Sequence, residues 1–262
     1  VMKHSGADIL RLWVASSDYR EDIRISQQIL DRLIQAYRKI RNTLRFLLAN
    51  NFDFAPDKHR VTYRDLLDID KWALHQLNQT LRTVDESFNR FDFACAYRQI
   101  YSFCNEDLSA VYLDILKDRL YTFAADSKER RSGQTVLHYI LSALVRLLAP
   151  VLTFTAEEVF GYIPKEDKLR SVKSVHLLDW PKAEKEWDNP QIAEKFKMLV
   201  LLRPYVLKAL EDLRGGGKIG SSLEARVILE TTDDKRLAYL EEKRGQLTEF
   251  FIVSQAEIRK TA

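Results

Sequence analysis

One stripe of apolar residues constrains this chain more than any other feature. Leu30, Leu33, Tyr37, Ile40, Leu44 and Leu47 recur at spacings of three and four. That repeat aligns side chains along one face of an α-helix. Ser26 stands where an N-cap belongs, and the pattern runs on to Asn50. A long helix with a single apolar seam needs partners to cover it, which predicts a bundle.

The rest of the chain offers those partners. Gly and Pro contribute only 8 and 6 of 262 residues, and so few breakers favour long helices over a β-sandwich. A first helix is expected from Ala7 to Ala15, with Leu10, Trp13 and Val14 on one face, then a polar loop from Ser16 to Asp22. Asp68 or Asp70 starts a second long helix that ends near Phe88. A third spans Asp92 to Leu116, with Phe93, Tyr97, Ile100, Tyr101, Cys104, Leu108, Val111 and Tyr112 as its stripe. A fourth runs from Ser127 to Ala149 and is closed by Pro150. Thr155 and Glu158 form a capping box for a short helix ending near Gly161. After Pro164 the texture changes. Residues 164–182 read as a connector, followed by a helix from Ile192 to Leu213 that Gly215, Gly216 and Gly217 stop. A strand pattern (Ala225 to Thr231), helical stretches (Asp233 to Phe250) and a second strand pattern (Phe251 to Ile258) complete the chain. The expected fold is therefore mainly α: an antiparallel helix bundle followed by a small α+β subdomain.

Several function classes drop out. Lys and Arg number 41 against 38 Asp and Glu, a net charge of +3 that neither demands nor excludes a nucleic acid. No apolar run approaches the ~18 residues of a membrane span, and no signal peptide opens the chain, which predicts a cytoplasmic protein without a membrane partner. The start at Val1 rather than Met suggests a piece of something longer. His4, His59, His75, His138 and His176 have no metal-ligand spacing. Cys95 and Cys104 fall about 180° apart on one helix, so two buried thiols are expected and no metal site. No GxSxG, GxGxxG or HExxH motif is present, and no catalytic residue is expected. The stretch GGGKIGSS (Gly215 to Ser222) fails as a P-loop, because Ile219 follows Lys218 and the loop joins a helix to a strand. It reads as a flexible connection, or as a loop of backbone N–H groups with Lys218 on an RNA phosphate.

The stretch from Arg32 to Asn51 is the informative one. It holds Arg32, Arg38, Lys39, Arg41 and Arg45 and no Asp or Glu. Arg38, Arg41 and Arg45 fall within about 60° of one another beside the apolar stripe, with Asn42 on the same side. Guanidiniums bind phosphate bidentately and stack on bases, and an amide reads a base edge. The competing expectation is a solvated face, or arginines paired with carboxylates of neighbouring helices. Trp13 and Trp72 sit on apolar faces and read as core; Trp180 and Trp187 are stacking candidates. Arg146, inside LSALVRLLAP, needs a carboxylate, for which Asp114 and Glu158 are candidates. Asp114, Lys117, Asp118 and Arg119 read as a charged helix end.

These residues resemble a known family. GADILRLWVAS (Gly6 to Ser16) followed by DYREDIRIS (Asp18 to Ser26) is similar to the segment after the KMSKS loop of bacterial-type isoleucyl-tRNA synthetases, class I enzymes. YRKIRNTLRFLLAN (Tyr37 to Asn50) resembles the first helix of their anticodon domain. DKWAL (Asp70 to Leu74), NEDLSAVYLDILKDRLY (Asn105 to Tyr121), QTVLHYILSALVRLLAPVLTFTAEEVF (Gln134 to Phe160), SVHLLDWP (Ser174 to Pro181) and KIGSSLEARV (Lys218 to Val227) extend the resemblance, in order, over nearly the whole chain. The resemblance implies the end of the stem-contact region in residues 1–25 and a helical anticodon-binding bundle in 26–163. A connector in 164–191 and a C-terminal junction subdomain in 192–262 would follow. It implies that the parent joins isoleucine to tRNA(Ile) with ATP and magnesium, in a catalytic domain outside this chain. An editing domain and a zinc module would also lie outside it, so this chain alone should carry no cofactor and no aminoacylation. Its partners would be tRNA(Ile) and the remainder of the synthetase, with the protein a monomer. By motif, Arg38, Arg41, Asn42 and Arg45 map onto the family's RNA side, and Arg11, Arg20 and Arg24 fall in the stem-contact segment. LIQA (Leu33 to Ala36) and NNFDFA (Asn50 to Ala55) depart from the family pattern, so no contact is carried onto Phe52 or Phe54. Two rivals stand beside this expectation. One is the matching fragment of a valyl or leucyl enzyme. The other is a helical protein-interaction module without RNA affinity, in which Arg38, Arg41 and Arg45 are paired with intramolecular carboxylates.

Overall fold

The structure, a computed structural model, describes residues Met2–Thr261. It divides into two compact units, one up to Ala193 and one from Glu194 onward.

The first unit is helical. A short α1 (Met2–Ser5) and α2 (Ala7–Ser16) precede the long α3 (Gln27–Ala49). Ser26 caps α3 as its sequence position indicates, its Oγ accepting the Ile29 N–H at 3.3 Å. A one-turn α4 (Pro56–His59) leads to α5 (Asp68–Asn89). Next come α6 (Phe93–Ser102), a π-helical segment (Phe103–Tyr112) and α7 (Leu113–Thr122). The unit closes with α8 (Lys128–Leu148), capped by Ser127, and α9 (Thr153–Tyr162). Ile40, Leu44 and Leu47 of α3 meet a core that includes Leu74, Leu77 and Val84 of α5 and Leu137, Ile140, Leu141 and Leu144 of α8. The apolar stripe therefore does what its spacing requires: water leaves one face of α3 and remains on the other.

Four local expectations change. The helix expected from Asp92 to Leu116 continues to Thr122 and is π-helical in its middle, where each turn takes one residue more. Within it Ser109 Oγ donates to the Cys104 carbonyl five residues back (2.7 Å). Thr155 does not cap α9. It lies inside the helix, and the cap comes from Asp8 of α2, whose carboxylate accepts the Phe154 and Thr155 N–H groups (3.3 and 2.8 Å) and the Thr155 hydroxyl (2.6 Å). Arg119 is not part of a charged helix end. It is buried and pairs with the fully buried Asp70 (3.1 Å). Tyr112 Oη and Ser132 Oγ donate to the same carboxylate at 2.8 and 2.6 Å. Arg146 meets neither Asp114 nor Glu158; its guanidinium donates to the Ser142 carbonyl and hydroxyl one turn back (2.8 and 3.4 Å).

The second unit contains most of α10 (Pro190–Gly215), then β1 (Arg226–Thr231), α11 (Asp234–Glu242), α12 (Leu247–Phe251) and β2 (Gln255–Lys260). The strands pair in parallel, with Val227 opposite Ala256 and Leu229 opposite Ile258. Parallel neighbours require a crossover, which α11 and α12 supply. The second strand begins later than its sequence pattern indicates. Phe250 and Phe251 turn inward on α12, the Phe250 ring 6.2 Å from that of Phe196, and Ile252 takes a left-handed φ of 57° before the strand starts. Among the described residues no helix is long and apolar enough to cross a membrane.

Candidate nucleic-acid interface

The edge of α3 beside its buried face carries the basic residues. Arg38, Asn42 and Arg45 are exposed and Arg41 is half-buried. Among the described residues none of Arg32, Arg38, Arg41 and Arg45 has a carboxylate within ion-pair distance. Lys39 differs: its Nζ donates to Asn105 Oδ1 (2.9 Å) and lies 5.8 Å from the centre of the Tyr101 ring. Thr43 Oγ1 meets Ser109 Oγ at 3.3 Å. The π-helical segment thus braces the side of α3 that holds Lys39 and Thr43 and leaves the arginine edge free. At the other flank Tyr37 Oη lies 2.9 Å from Thr155 Oγ1 of α9. The helix is fixed on both sides, and three guanidiniums and an amide face water from it. Such an array can neutralise phosphates and contact bases.

The remaining candidates separate. Arg11 donates from Nε to the Val151 carbonyl (3.0 Å) and from Nη2 to the Pro150 carbonyl (2.7 Å), so its guanidinium holds the end of α8. Arg20 forms a two-pronged pair with Asp18 (2.8 and 2.6 Å). That contact raises the arginine pKa and lowers Asp18 to about 2. Arg24 is exposed, and its carbonyl accepts the Trp13 indole N–H (3.2 Å).

Lys218 belongs to the second unit and is exposed. Several N–H groups of the loop around it are already used within the chain. The N–H groups of Gly216, Gly217 and Lys218 donate to the carbonyls of Asp212, Arg214 and Leu213 and close α10, with Gly217 at φ +67°. The Gly220 N–H is taken by Glu224 (2.9 Å). The Lys218 side chain is exposed.

Cys104 is buried, and burial pushes its thiol up to about 12, while Cys95 is half-buried. Trp72 lies in the core and Trp13 is half-buried. Trp180 packs on Phe88 (4.8 Å between ring centres) and Trp187 on Tyr139 (5.1 Å). Among the described residues no cluster of His, Cys, Asp and Glu gathers at a metal site.

Comparison with known proteins fits this geometry. The family described as the anticodon-binding domain of tRNA ligase matches residues 70–229. This chain belongs to that family. It is 52% identical over 227 residues to an isoleucine–tRNA ligase of Thermoanaerobacter sp. (strain X514), covering 87% of this chain and 24% of the relative. Against an isoleucine–tRNA ligase of Geobacter sulfurreducens it is 46% identical over 258 residues, covering 98% of this chain and 27% of the relative. The chain thus spans about a quarter of the length of these curated relatives. Among solved structures, the ternary LeuRS–tRNA–LeuAMS complex of Agrobacterium radiobacter K84 shares the fold. Its TM-score is 0.52 at 19% identity, over 72% of this chain and 21% of that one.

The arginine edge of α3 precedes the matched residues 70–229, so the family match and the free guanidiniums are separate observations. The rival expectation of a pure protein-interaction module required Arg38, Arg41 and Arg45 to be paired with carboxylates. They are not. Sequence inspection missed the Asp70–Arg119 centre, although Asp70 opens DKWAL and Arg119 closes LKDR. Only their separation of 49 residues hid the pairing.

Proposed function

We propose that this chain is the anticodon-gripping part of an isoleucine–tRNA ligase and binds the anticodon stem and loop of tRNA(Ile). The observation that carries this reading is the free arginine edge of α3. Arg38, Arg41 and Arg45 face water without a carboxylate partner, on a helix held rigid at both flanks. Guanidiniums on such an edge neutralise stem phosphates and fix register, and Asn42 offers both a donor and an acceptor to an unstacked base. Arg24 and Lys218 are secondary phosphate contacts in this reading. Arg11 and Arg20 would act by holding backbone and loop. The relatives' isoleucine–tRNA ligase names motivate the choice of tRNA. In this reading ATP with magnesium, and any structural zinc, belong to other parts of the synthetase. The chain works as a cytoplasmic monomer joined to those parts and does not aminoacylate alone.

The test is binding of the 262-residue chain to an isoleucine tRNA transcript across a salt series, beside an anticodon-substituted transcript. Each neutralised phosphate contributes about −0.7 to −0.9 to the slope of log K against log salt. The variant carrying Arg38→Gln, Arg41→Gln and Arg45→Gln should flatten that slope by about two units. Wild-type binding that is absent, or a slope that the triple variant leaves unchanged, overturns the proposal.

A further inference from the structure

Among the large apolar side chains of the described residues, Phe52 is the most exposed, at 79%. Its surroundings are fixed. Asn51 is fully buried, and its Nδ2 donates to the Leu47 carbonyl at 2.8 Å. Asp53 pairs with Arg130 (3.0 Å) and Arg131 (3.5 Å) and accepts from Gln134 Nε2 (2.7 Å). Phe54 is buried, its ring centre 5.6 Å from that of His138, and its N–H donates to the Asn51 carbonyl (3.1 Å). The residues on both sides of Phe52 are thus anchored inward while its phenyl ring stands in water. A mobile loop tip would let the ring fold back onto apolar surface; this turn does not.

The position matters as much as the exposure. Phe52 lies three residues past the end of α3, so its Cα is within about 11 Å of that of Ala49. Ala49 follows Arg45 by four residues, is exposed and is small, so it continues the arginine edge without obstructing it. Along the chain the arginines at 38, 41 and 45 are thus followed by the small exposed Ala49 and, within that reach, by the exposed Phe52 ring. Cations that track a backbone and end at an aromatic ring form the combination that binds single-stranded nucleic acid.

We propose that Phe52 is a stacking platform for one splayed base of the anticodon loop. This rests on the RNA-binding reading above. The phosphates lie along the guanidiniums and the base leaves the stack to cover the ring, which buries the exposed phenyl surface. A ring held by anchored neighbours loses little conformational freedom on binding, so stacking is not offset by ordering.

The experiment measures binding of wild type, Phe52→Ala, Phe52→Leu and Phe52→Tyr to an isoleucine tRNA transcript. It repeats each with transcripts that lack one anticodon-loop base at a time. The Phe52 ring stands outside the core, so all three variants should fold as wild type. Phe52→Ala and Phe52→Leu should weaken binding about 5- to 100-fold, while Phe52→Tyr retains it. The salt slope should stay the same in all, since no phosphate contact is lost. One abasic position should abolish the difference between wild type and Phe52→Ala. Equal affinity of wild type and Phe52→Ala for the intact transcript overturns the inference while leaving the arginine grip intact. Full affinity of Phe52→Leu overturns it in favour of simple apolar contact. Absence of salt-dependent binding in wild type removes the RNA reading itself, and this inference with it.

Discussion

Replacing Asp70 by Asn tests what holds the helical unit together. The Asp70 carboxylate is fully buried and receives four hydrogen bonds: two from Arg119 (3.1 and 3.3 Å), one from Tyr112 Oη (2.8 Å) and one from Ser132 Oγ (2.6 Å). These donors come from α7, the π-helical segment and α8, so one residue of α5 joins three other elements. Asn has the same shape, but its Nδ2 would face donors and the Arg119 charge would be left without this counter-ion. Breaking a buried pair on one side costs about 3–5 kcal/mol. Against a typical total of about 5–15 kcal/mol, that is a large fraction. Urea titration followed by tryptophan fluorescence is the assay. All four tryptophans, at 13, 72, 180 and 187, lie in the first unit, so the signal reports that unit alone. The midpoint should fall by an amount equal to about 4 kcal/mol divided by the slope, with the slope unchanged. The control is Asp70→Leu with Arg119→Met, Tyr112→Phe and Ser132→Ala, which removes the donors and the acceptor together at the cost of the Leu67 N–H bond to Ser132 Oγ (3.1 Å), and should recover part of the loss. A loss under about 1 kcal/mol for Asp70→Asn would refute the reasoning, because it would mean that the guanidinium does not need its partner.

Two further outcomes follow from neighbouring features. Asp8→Ala removes the cap that α2 lends to α9 and leaves the Phe154 and Thr155 N–H groups without their acceptor, while the Thr155 hydroxyl keeps Tyr37 Oη; the same titration should show a loss of about 1–3 kcal/mol. Asp107, half-buried on the π-helical segment, is pushed up to about 6 by burial first, against the Gln76 hydrogen bond (3.0 Å) that lowers it. The folded state therefore keeps a proton that the unfolded chain loses near pH 4, so this group's contribution to stability falls as pH rises to about 6 and stays lost above it. Asp107→Asn should then be more stable than wild type by about 1–3 kcal/mol at pH 7. The difference should shrink towards about pH 4, and a variant difference independent of pH would contradict the burial of a charged carboxylate.

What the sequence carried was local. The stripe from Leu30 to Leu47, the cap at Ser26 and the stop at Gly215–Gly217 are signals that act within about one helical turn, and each appears in the structure where its spacing places it. The same range limit explains the errors. Thr155 and Glu158 fit a capping box, yet a carboxylate 147 residues away reached the Thr155 N–H first. Arg119 sits among charged neighbours in the sequence, yet its partner Asp70 lies on another helix. The π-helical segment is invisible in an apolar pattern that suits an α-helix almost as well. For the RNA edge the division is similar. Helix periodicity alone set Arg38, Arg41, Asn42 and Arg45 on one side of α3. Whether their charges were free depended on where every distant carboxylate ended up, and ion pairing, being a matter of a few ångströms between elements remote in the chain, is decided only when the helices pack.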